Sequence, residues 1–267
     1  MANEQQLPQV AVPSVSVIIL TRNESANIVD CIRSTDGLAS EVLVIDGQST
    51  DDTCQKAQEA GARVVKLTTW EGWGHKRQQA QLAASGTYIL HLDADERLTP
   101  PLKAELSAAL AKARGNEIFA LPRHNHLFGQ SIAHCGWSPD YVLRCYRNDY
   151  TKFNDAKVHE HVLVPADGKV IYLKAPLLHY TYQSVEQCLR KQMNYALHFA
   201  QEKDERGKRV ALCSIPLRGL FTFMRVYILR RGFLDGRWGL WNAISSASYT
   251  VNKYLALYAQ NKGKRLH

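Results

Sequence analysis

Residues 87–96 read Thr-Tyr-Ile-Leu-His-Leu-Asp-Ala-Asp-Glu, an apolar run that ends on carboxylates. A short run of branched and aromatic side chains is what a strand buried on both faces requires. The pattern occurs twice before it. Val15–Leu20 (VSVIIL) leads into Thr21-Arg22-Asn23-Glu24, and Glu41–Ile45 (EVLVI) leads into Asp46-Gly47. Arg63–Lys66 reads as a further short strand. The intervening stretches read as helices: Asn23 to about Leu38, a segment capped by Ser49-Thr50-Asp51-Asp52 and stopped at Gly61, residues 75–84, and a helix from Pro100-Pro101 to about Arg114. Strands alternating with helices predict right-handed βαβ units on a mainly parallel sheet over residues 14–114.

Beyond Asn116 the pattern loosens. Ile118–Pro122, Tyr141–Arg147, Val158–Leu163 and Val170–Leu173 are candidate strands, and Ser184–Arg206 is a candidate helix. Two more helices are expected at 214–231 and 237–260, split by Gly232-Phe233-Leu234-Asp235-Gly236.

The chain has 267 residues, 45% hydrophobic and 22% charged, which excludes collagen-like, coiled-coil and disordered classes. Its net charge of +8 is unevenly placed. Residues 206–267 hold twelve Lys and Arg against one acid, Asp235, while residues 1–205 carry a net −3. A near-neutral body with a strongly basic tail is expected to meet an anionic partner. The six cysteines show no C-x-x-C spacing, which argues against a zinc ribbon or redox dithiol and suits a reducing compartment. MANEQQLPQV lacks the features of a secretory signal, and no apolar run approaches the ~20 residues that cross a bilayer. The expectation is a cytoplasmic protein, peripheral on a membrane face.

In open α/β sheets, ligands bind outside the carboxyl ends of the strands. The three polar strand ends would therefore share one rim. Asp93 and Asp95, two apart on an extended segment, can both reach one hard cation and its bound phosphates. Alone, the pair reads equally as a polar turn capping a helix; its place after the fourth strand favours the ligand. Asp46 suits a base or ribose, or simply a helix-entry turn. Lys76 and Arg77 could approach a base or diphosphate, or form a solvated pair. Glu24 could serve only the helix dipole. The sequence has neither G-x-G-x-x-G nor a Walker A motif, which removes the main support for dinucleotide and P-loop chemistry.

Four blocks together carry a resemblance: SVSVIILTRNE, VLVIDGQSTDDT, GHKRQQA and YILHLDADE, in this order over residues 14–98. They closely resemble the inverting family-2 glycosyltransferases of GT-A fold. GWSPDYVLRCYR (136–147), KVHEH (157–161) and YILRRGFLDGRWGL (227–240) look most like the subgroup that adds glucose to a heptose of the lipopolysaccharide inner core. The resemblance implies a GT-A catalytic domain over 14–205, with a nucleotide-sugar half at 14–122 and an acceptor half at 123–205, followed by a basic helical extension at 206–267. It implies a nucleotide-diphosphate sugar donor, usually UDP-linked, and Mg2+ or Mn2+. Thr21, Arg22, Glu24 and Asp46 would line the nucleotide pocket, with Lys76 or Arg77 beside the base or diphosphate. Asp93 would meet the ribose or a metal-bound water, and Asp95 the metal.

An inverting transfer needs one base to take the acceptor hydroxyl proton. Glu160, between His159 and His161, is the first candidate, Asp140 the second and Asp155 the third. His159, His161 or His179 could complete a metal site, although single histidines more often serve packing. Trp137 could stack on a sugar or sit in the core.

In the tail, Leu217, Leu220, Phe221, Met224 and Ile228 form one apolar stripe, with Arg218 and Arg225 on another face and Arg230 and Arg231 following. Such a stripe with aromatic neighbours reads as an interfacial helix gripping membrane or a phosphorylated lipid acceptor. The alternative is a helix docked on the body through that stripe. Two other classes fit the sequence less well. A sugar-phosphate nucleotidyltransferase would want a Gly-rich loop where T-R-N-E stands. A nucleic-acid-binding protein would use the tail but leave the strand-end acids unexplained, so no nucleic-acid partner is expected.

Overall fold

The computed structural model describes residues 13–67, 72–156 and 160–263. They divide into two compact units. One comprises residues up to Arg123 together with Tyr141–His179; the other comprises His124–Asp140 with Tyr180 onward.

The first unit is built on β1 (Val15–Thr21), whose seven residues are all buried. It pairs in parallel with β2 (Glu41–Asp46) on one side and β4 (Tyr88–Asp93) on the other. β3 (Arg63–Lys66) extends the parallel half beyond β2. β8 (Tyr141–Arg147) runs antiparallel to β4, β6 (Glu117–Leu127) antiparallel to β8, and β9 (Lys169–Tyr172) parallel to β6. Of the four parallel strands, β1, β2 and β4 carry the continuous apolar runs, while β3, at the sheet edge, does not. Burial on both sheet faces explains the absence of alternation in those three. Helices α1 (Ile28–Ser34), α2 (Thr53–Glu59), α3 (Trp73–Leu82) and α4 (Pro100–Leu110) make the crossovers. Cores lie on both faces of the sheet: Val17, Ile19, Leu90, Leu92 and Phe119 on one side, and Ile18, Leu43, Ile45, Ile89 and Tyr146 on the other. Each such side chain contributes roughly 1.5–3 kcal/mol on burial.

Register sets the rim. Thr21 is level with Asp46, and Leu20 with Asp93, so three strand ends lie side by side as expected. Three short strands escaped the sequence reading. β5 (Glu96–Leu98) pairs antiparallel with β10 (Leu177–Tyr182), setting His179 level with Glu96. β7 (Gln130–Ile132) forms a hairpin with Asn125–Leu127 at the end of β6. The expected strand Val158–Leu163 is reduced, among the described residues, to a single bridge between Phe153 and Val162.

The second unit is mainly helical: α5 (Val185–Glu205), α6 (Ser214–Met224), a π-helical turn (Arg225–Leu229), a 3-10 turn (Gly232–Asp235) and α7 (Gly236–Gly263). The break expected at 232–236 is present. The boundary expected at 205/206 falls at the end of α5, yet α5 packs along α7 and belongs with the helices that follow it. The hairpin segment 124–140 also belongs to this unit. Sequence position could not show either assignment, because both rest on contacts between distant segments. Among the described residues, no helix is long and apolar enough to cross a membrane, and all six cysteines are free.

Candidate active site

Within the first unit, the consecutive residues Lys76 and Arg77 on α3 serve different strand ends. About 100° separates successive side chains on a helix, so neighbours point to different places. Lys76 lies over the β2 end: a Cβ placed on Gly47 would come within 3.0 Å of its Nζ and 3.2 Å of the Thr21 carbonyl. Burial pushes the Lys76 ammonium down, Arg22 pushes it further, and Asp46 opposes both. Asp46 is buried and accepts from the Ser49 amide at 3.1 and 3.2 Å. Arg22 is exposed.

Arg77 turns toward β4, where it meets two carboxylates. Its Nη2 donates to Asp93 Oδ1 at 2.8 Å and its Nε to Glu160 Oε1 at 3.3 Å. Its guanidinium also lies 4.8 Å over the Phe153 ring. Arg144, from the middle of β8, donates to the other oxygen of Asp93 and to Glu96 Oε1 at 2.9 Å. Arg123 Nη1 stands 3.6 Å from the same Glu96 oxygen. The result is an alternating chain of charges: Glu160, Arg77, Asp93, Arg144, Glu96, Arg123.

Burial alone would raise Asp93, but Arg144 and Arg77 outweigh it and hold the carboxyl well below the usual range. At fully buried Glu96, burial dominates and pushes the carboxyl up, with the Asp93 charge adding to it. Arg144 is raised, because two carboxylates more than offset its burial. Neither Arg144 nor Glu96 was singled out from sequence. The signal available was an arginine inside an otherwise apolar strand and a third acid directly after D-A-D.

Both oxygens of Asp93 are thus engaged by arginines. Asp95 differs. Its Oδ2 lies 3.4 Å from His179 Nε2, and no arginine or lysine pairs with it among the described residues. A carboxylate and an imidazole together suit Mn2+ or Mg2+ when a diphosphate and water supply the remaining ligands. No group of three His, Cys, Asp or Glu that could hold a metal occurs among the described residues, so the chain offers two donors and not a closed cage.

Other expected residues are placed as follows. Thr21 is buried at the end of β1, and its Oγ1 has no hydrogen-bond partner. The same holds for Arg77 Nη1. Glu24 accepts from Asn27 Nδ2 at 2.7 Å, a local contact at the entry to α1. Glu160 is 17% exposed. The chain at Asn154–Ala156 packs against Gly74 on α3, where a Cβ would sit 2.0 Å from the Asn154 carbonyl. His161 is tied to Asn154 through its amide and its Nδ1, each at 3.1 Å. Asp155 accepts from Gln78. His159 lies outside the described residues.

Behind the rim, His91 is fully buried in β4. Burial first, then Arg77 and Arg144, push its imidazole well below the usual value, so it is neutral. Tyr146 Oη donates to Gln81 Oε1 at 3.0 Å, which leaves it to accept from His91 Nε2 at 3.0 Å and fixes the tautomer. A cavity of about 740 Å3 lined by Gln78, Leu82, Thr87, Arg147 and Lys152 opens at the opposite end of β4 and holds none of the expected residues.

In the second unit, Asp140 accepts from Asn125 Nδ2 at 3.2 Å. Trp137 lines a cavity of about 210 Å3 with Tyr182, Tyr195, Trp241 and Asn242. The four tail arginines do not act as one group. Arg218 and Arg225 line a groove between α6 and α7. Arg230 instead packs where a Cβ on Gly136 would be, 2.2 Å from its Nη1 position. Arg231, at φ 55°, precedes the 3-10 turn as its N-cap.

A mainly parallel α/β sheet with a polar rim of strand ends defines the fold class. The chain belongs to glycosyl transferase family 2, whose model matches residues 16–177, and its fold is the GT-A arrangement. An uncharacterised glycosyltransferase of Rickettsia typhi is 26% identical over 252 residues, covering 91% of this chain and 85% of that one. The lipopolysaccharide core biosynthesis glycosyltransferase LpsC of Rhizobium meliloti is 27% identical over 262 residues, covering 92% and 93%. The crystal structure of glucosyl-3-phosphoglycerate synthase from Mycobacterium tuberculosis, in complex with Mn2+, UDP and phosphoglyceric acid, is 30% identical over 43% of this chain and 44% of that one. Its TM-score is 0.36, a likeness too partial to extend further.

Proposed function

We propose that this glycosyltransferase moves a sugar, glucose first among the candidates, from a UDP-sugar to a lipid-linked saccharide of the lipopolysaccharide core, with inversion at the anomeric carbon. The observation that carries the donor site is the rim of Thr21, Asp46, Lys76 and Asp95. It combines one buried hydroxyl without a hydrogen-bond partner, Thr21 Oγ1, with a buried cation, Lys76, and a carboxylate not neutralised by arginine, Asp95. The acceptor class rests on the end-to-end similarity to LpsC.

In this reading Asp46 and Thr21 hold the nucleoside, and Lys76 and Arg22 face the donor's negative charge. Asp95 and His179 hold a divalent cation, which would neutralise the diphosphate as it leaves. Glu160 takes the proton of the acceptor hydroxyl. Arg77 keeps that carboxylate oriented, and Arg144 fixes Arg77 indirectly by sharing Asp93. Asp93 is therefore a positioning residue for the pair Arg77–Glu160. The enzyme works at the cytoplasmic membrane face, with the basic second unit toward the lipid.

The test is calorimetric titration with UDP-glucose, UDP-galactose, UDP-N-acetylglucosamine and ADP-heptose, in Mn2+ and then in EDTA. Mn2+-dependent binding of one UDP-sugar is expected. A folded protein that binds none of them overturns the reading.

A further inference from the structure

Helix α6 is apolar on two opposite sides. Ile215 and Gly219 form its packing side and are buried, and Val226 in the following π-helical turn continues that side. A Cβ on Gly219 would come 2.6 Å from Val251 Cγ2, so α7 approaches the backbone itself there. The stripe Leu217, Leu220, Phe221 and Met224 is therefore not the docking face. Leu217 is 67% exposed, Leu220 59%, Phe221 62% and Met224 46%; Ile228 and Leu229 continue the ridge at 44% and 73%. A helix apolar on both sides is ordinarily buried on both. A contiguous exposed ridge of this kind marks a surface with a nonaqueous partner.

Beside the ridge runs the groove between α6 and α7, about 480 Å3, lined by Arg218, Arg225, Lys253, Ser214, Thr250 and Tyr254. An advance of about 100° per residue sets Arg218 and Arg225 roughly a quarter-turn from the ridge. Among the described residues, none of the three cations has a carboxylate partner. The groove lining contains no acid. Aromatic rings position the cations without neutralising them. Arg218 stacks 4.5 Å from the centre of Tyr254, and Lys253 sits 4.7, 5.1 and 5.5 Å from Phe199, Tyr249 and Tyr254.

We propose that the α6–α7 groove is a phosphate site for the headgroup of an anionic lipid, with the Leu217–Leu229 ridge entering the bilayer interface beside it. The inference deepens the membrane-face reading above. A free phosphate would use the cations and leave the ridge without purpose. A second copy packed about a two-fold axis would set the ridge on itself and bring two unpaired cation clusters together. An anionic bilayer meets both features, since an interfacial helix buries its apolar face among acyl chains while cations pair with phosphates.

The experiment is co-sedimentation of the full chain with sucrose-loaded vesicles, either pure phosphatidylcholine or a mixture with phosphatidylglycerol. Binding to the anionic vesicles is expected, weakening as salt rises. Arg218→Gln, Arg225→Gln and Lys253→Gln should each cost about five-fold in affinity, the equivalent of about 1 kcal/mol per cation near the surface. Leu220→Ser with Phe221→Ser should also cost at least ten-fold, with the fold checked by circular dichroism. Lys112→Gln, Arg114→Gln and Lys174→Gln together remove equal charge from the first unit and should cost less than the groove triple. Equal loss from the two triples overturns the site. Full competition by millimolar inorganic phosphate, with the serine pair binding normally, makes it a free-anion site and overturns the lipid assignment. A dimer in light scattering that Phe221→Ser dissolves overturns it in favour of a second copy. Donor titration of the wild-type chain separates the two readings: vesicle binding through the groove without donor binding leaves this inference standing and removes the transferase assignment.

Discussion

His179 Nε2 lies 3.4 Å from Asp95 Oδ2, joining the turn after β4 to strand β10 across more than eighty residues of sequence. The pair β5–β10 makes this contact, because His179 is level with Glu96, one residue past Asp95. Asp95→Ala and His179→Ala should each lower Mn2+ affinity, measured calorimetrically with UDP present. The loss should exceed the about ten-fold typical of removing an outer-shell partner. Unchanged Mn2+ affinity in a folded His179→Ala protein would remove it from the metal site.

Glu160→Gln keeps the shape and one hydrogen-bond acceptor for Arg77 Nε but removes the base. Turnover should fall about 10²–10⁴-fold while donor affinity stays within a factor of a few. If turnover survives, Asp140 is the next carboxylate to test.

Arg144 is shared by Asp93, a third exposed, and by Glu96, fully buried. Arg144→Leu would leave two carboxylates facing one another without that cation. The expected loss of stability is about 3–5 kcal/mol, read from urea unfolding at pH 7.5. The deficit should shrink at pH 5, because Glu96, already pushed up by burial, takes a proton and removes one unpaired charge.

Glu41 locks the starts of β1, β2 and β4 together. It accepts from Ser16, from Ser85 Oγ at 2.7 Å, and from Arg63 at 3.4 Å. Burial alone would raise its carboxyl, but the hydrogen bonds from Ser16 and Ser85 prevail and hold it at about 2. A depressed carboxylate stabilises the fold above its unfolded value near 4.3, and that stability is lost as pH falls toward 2. Glu41→Gln should cost about 1–2 kcal/mol at pH 7, after discount for solvent screening. Thermal melts from pH 7 to pH 2.5 should show the wild-type advantage shrinking as pH falls.

The exposed α6 stripe was legible in sequence as a stripe, but not as exposed. Periodicity says which residues share a face, and both a docked helix and an interfacial helix have the same period. Gly219 decides between them, since it opens the opposite face to α7. The β1, β2 and β4 runs were legible for a different reason: strands buried on both sides must be apolar throughout, and their order along the chain implies the crossovers between them. The short strands β5 and β10 were not, because each pairs with a partner about eighty residues away, and the three-residue β7 was not, because it is too short to show a period.

The sequence by itself determined the parallel half of the sheet, the rim of Thr21, Asp46 and Asp93, and the basic tail, because each is written in contiguous residues. Only the tertiary structure decided what the charges do. Whether Arg77 faces a ligand or Asp93, whether Asp93 or Asp95 is left without an arginine, and whether His179 stands beside a carboxylate depend on side chains from segments 16 to 84 residues apart. Hydrogen bonds and ion pairs act over about 3–4 Å in space, so no local spacing records them until the sheet has brought the segments together.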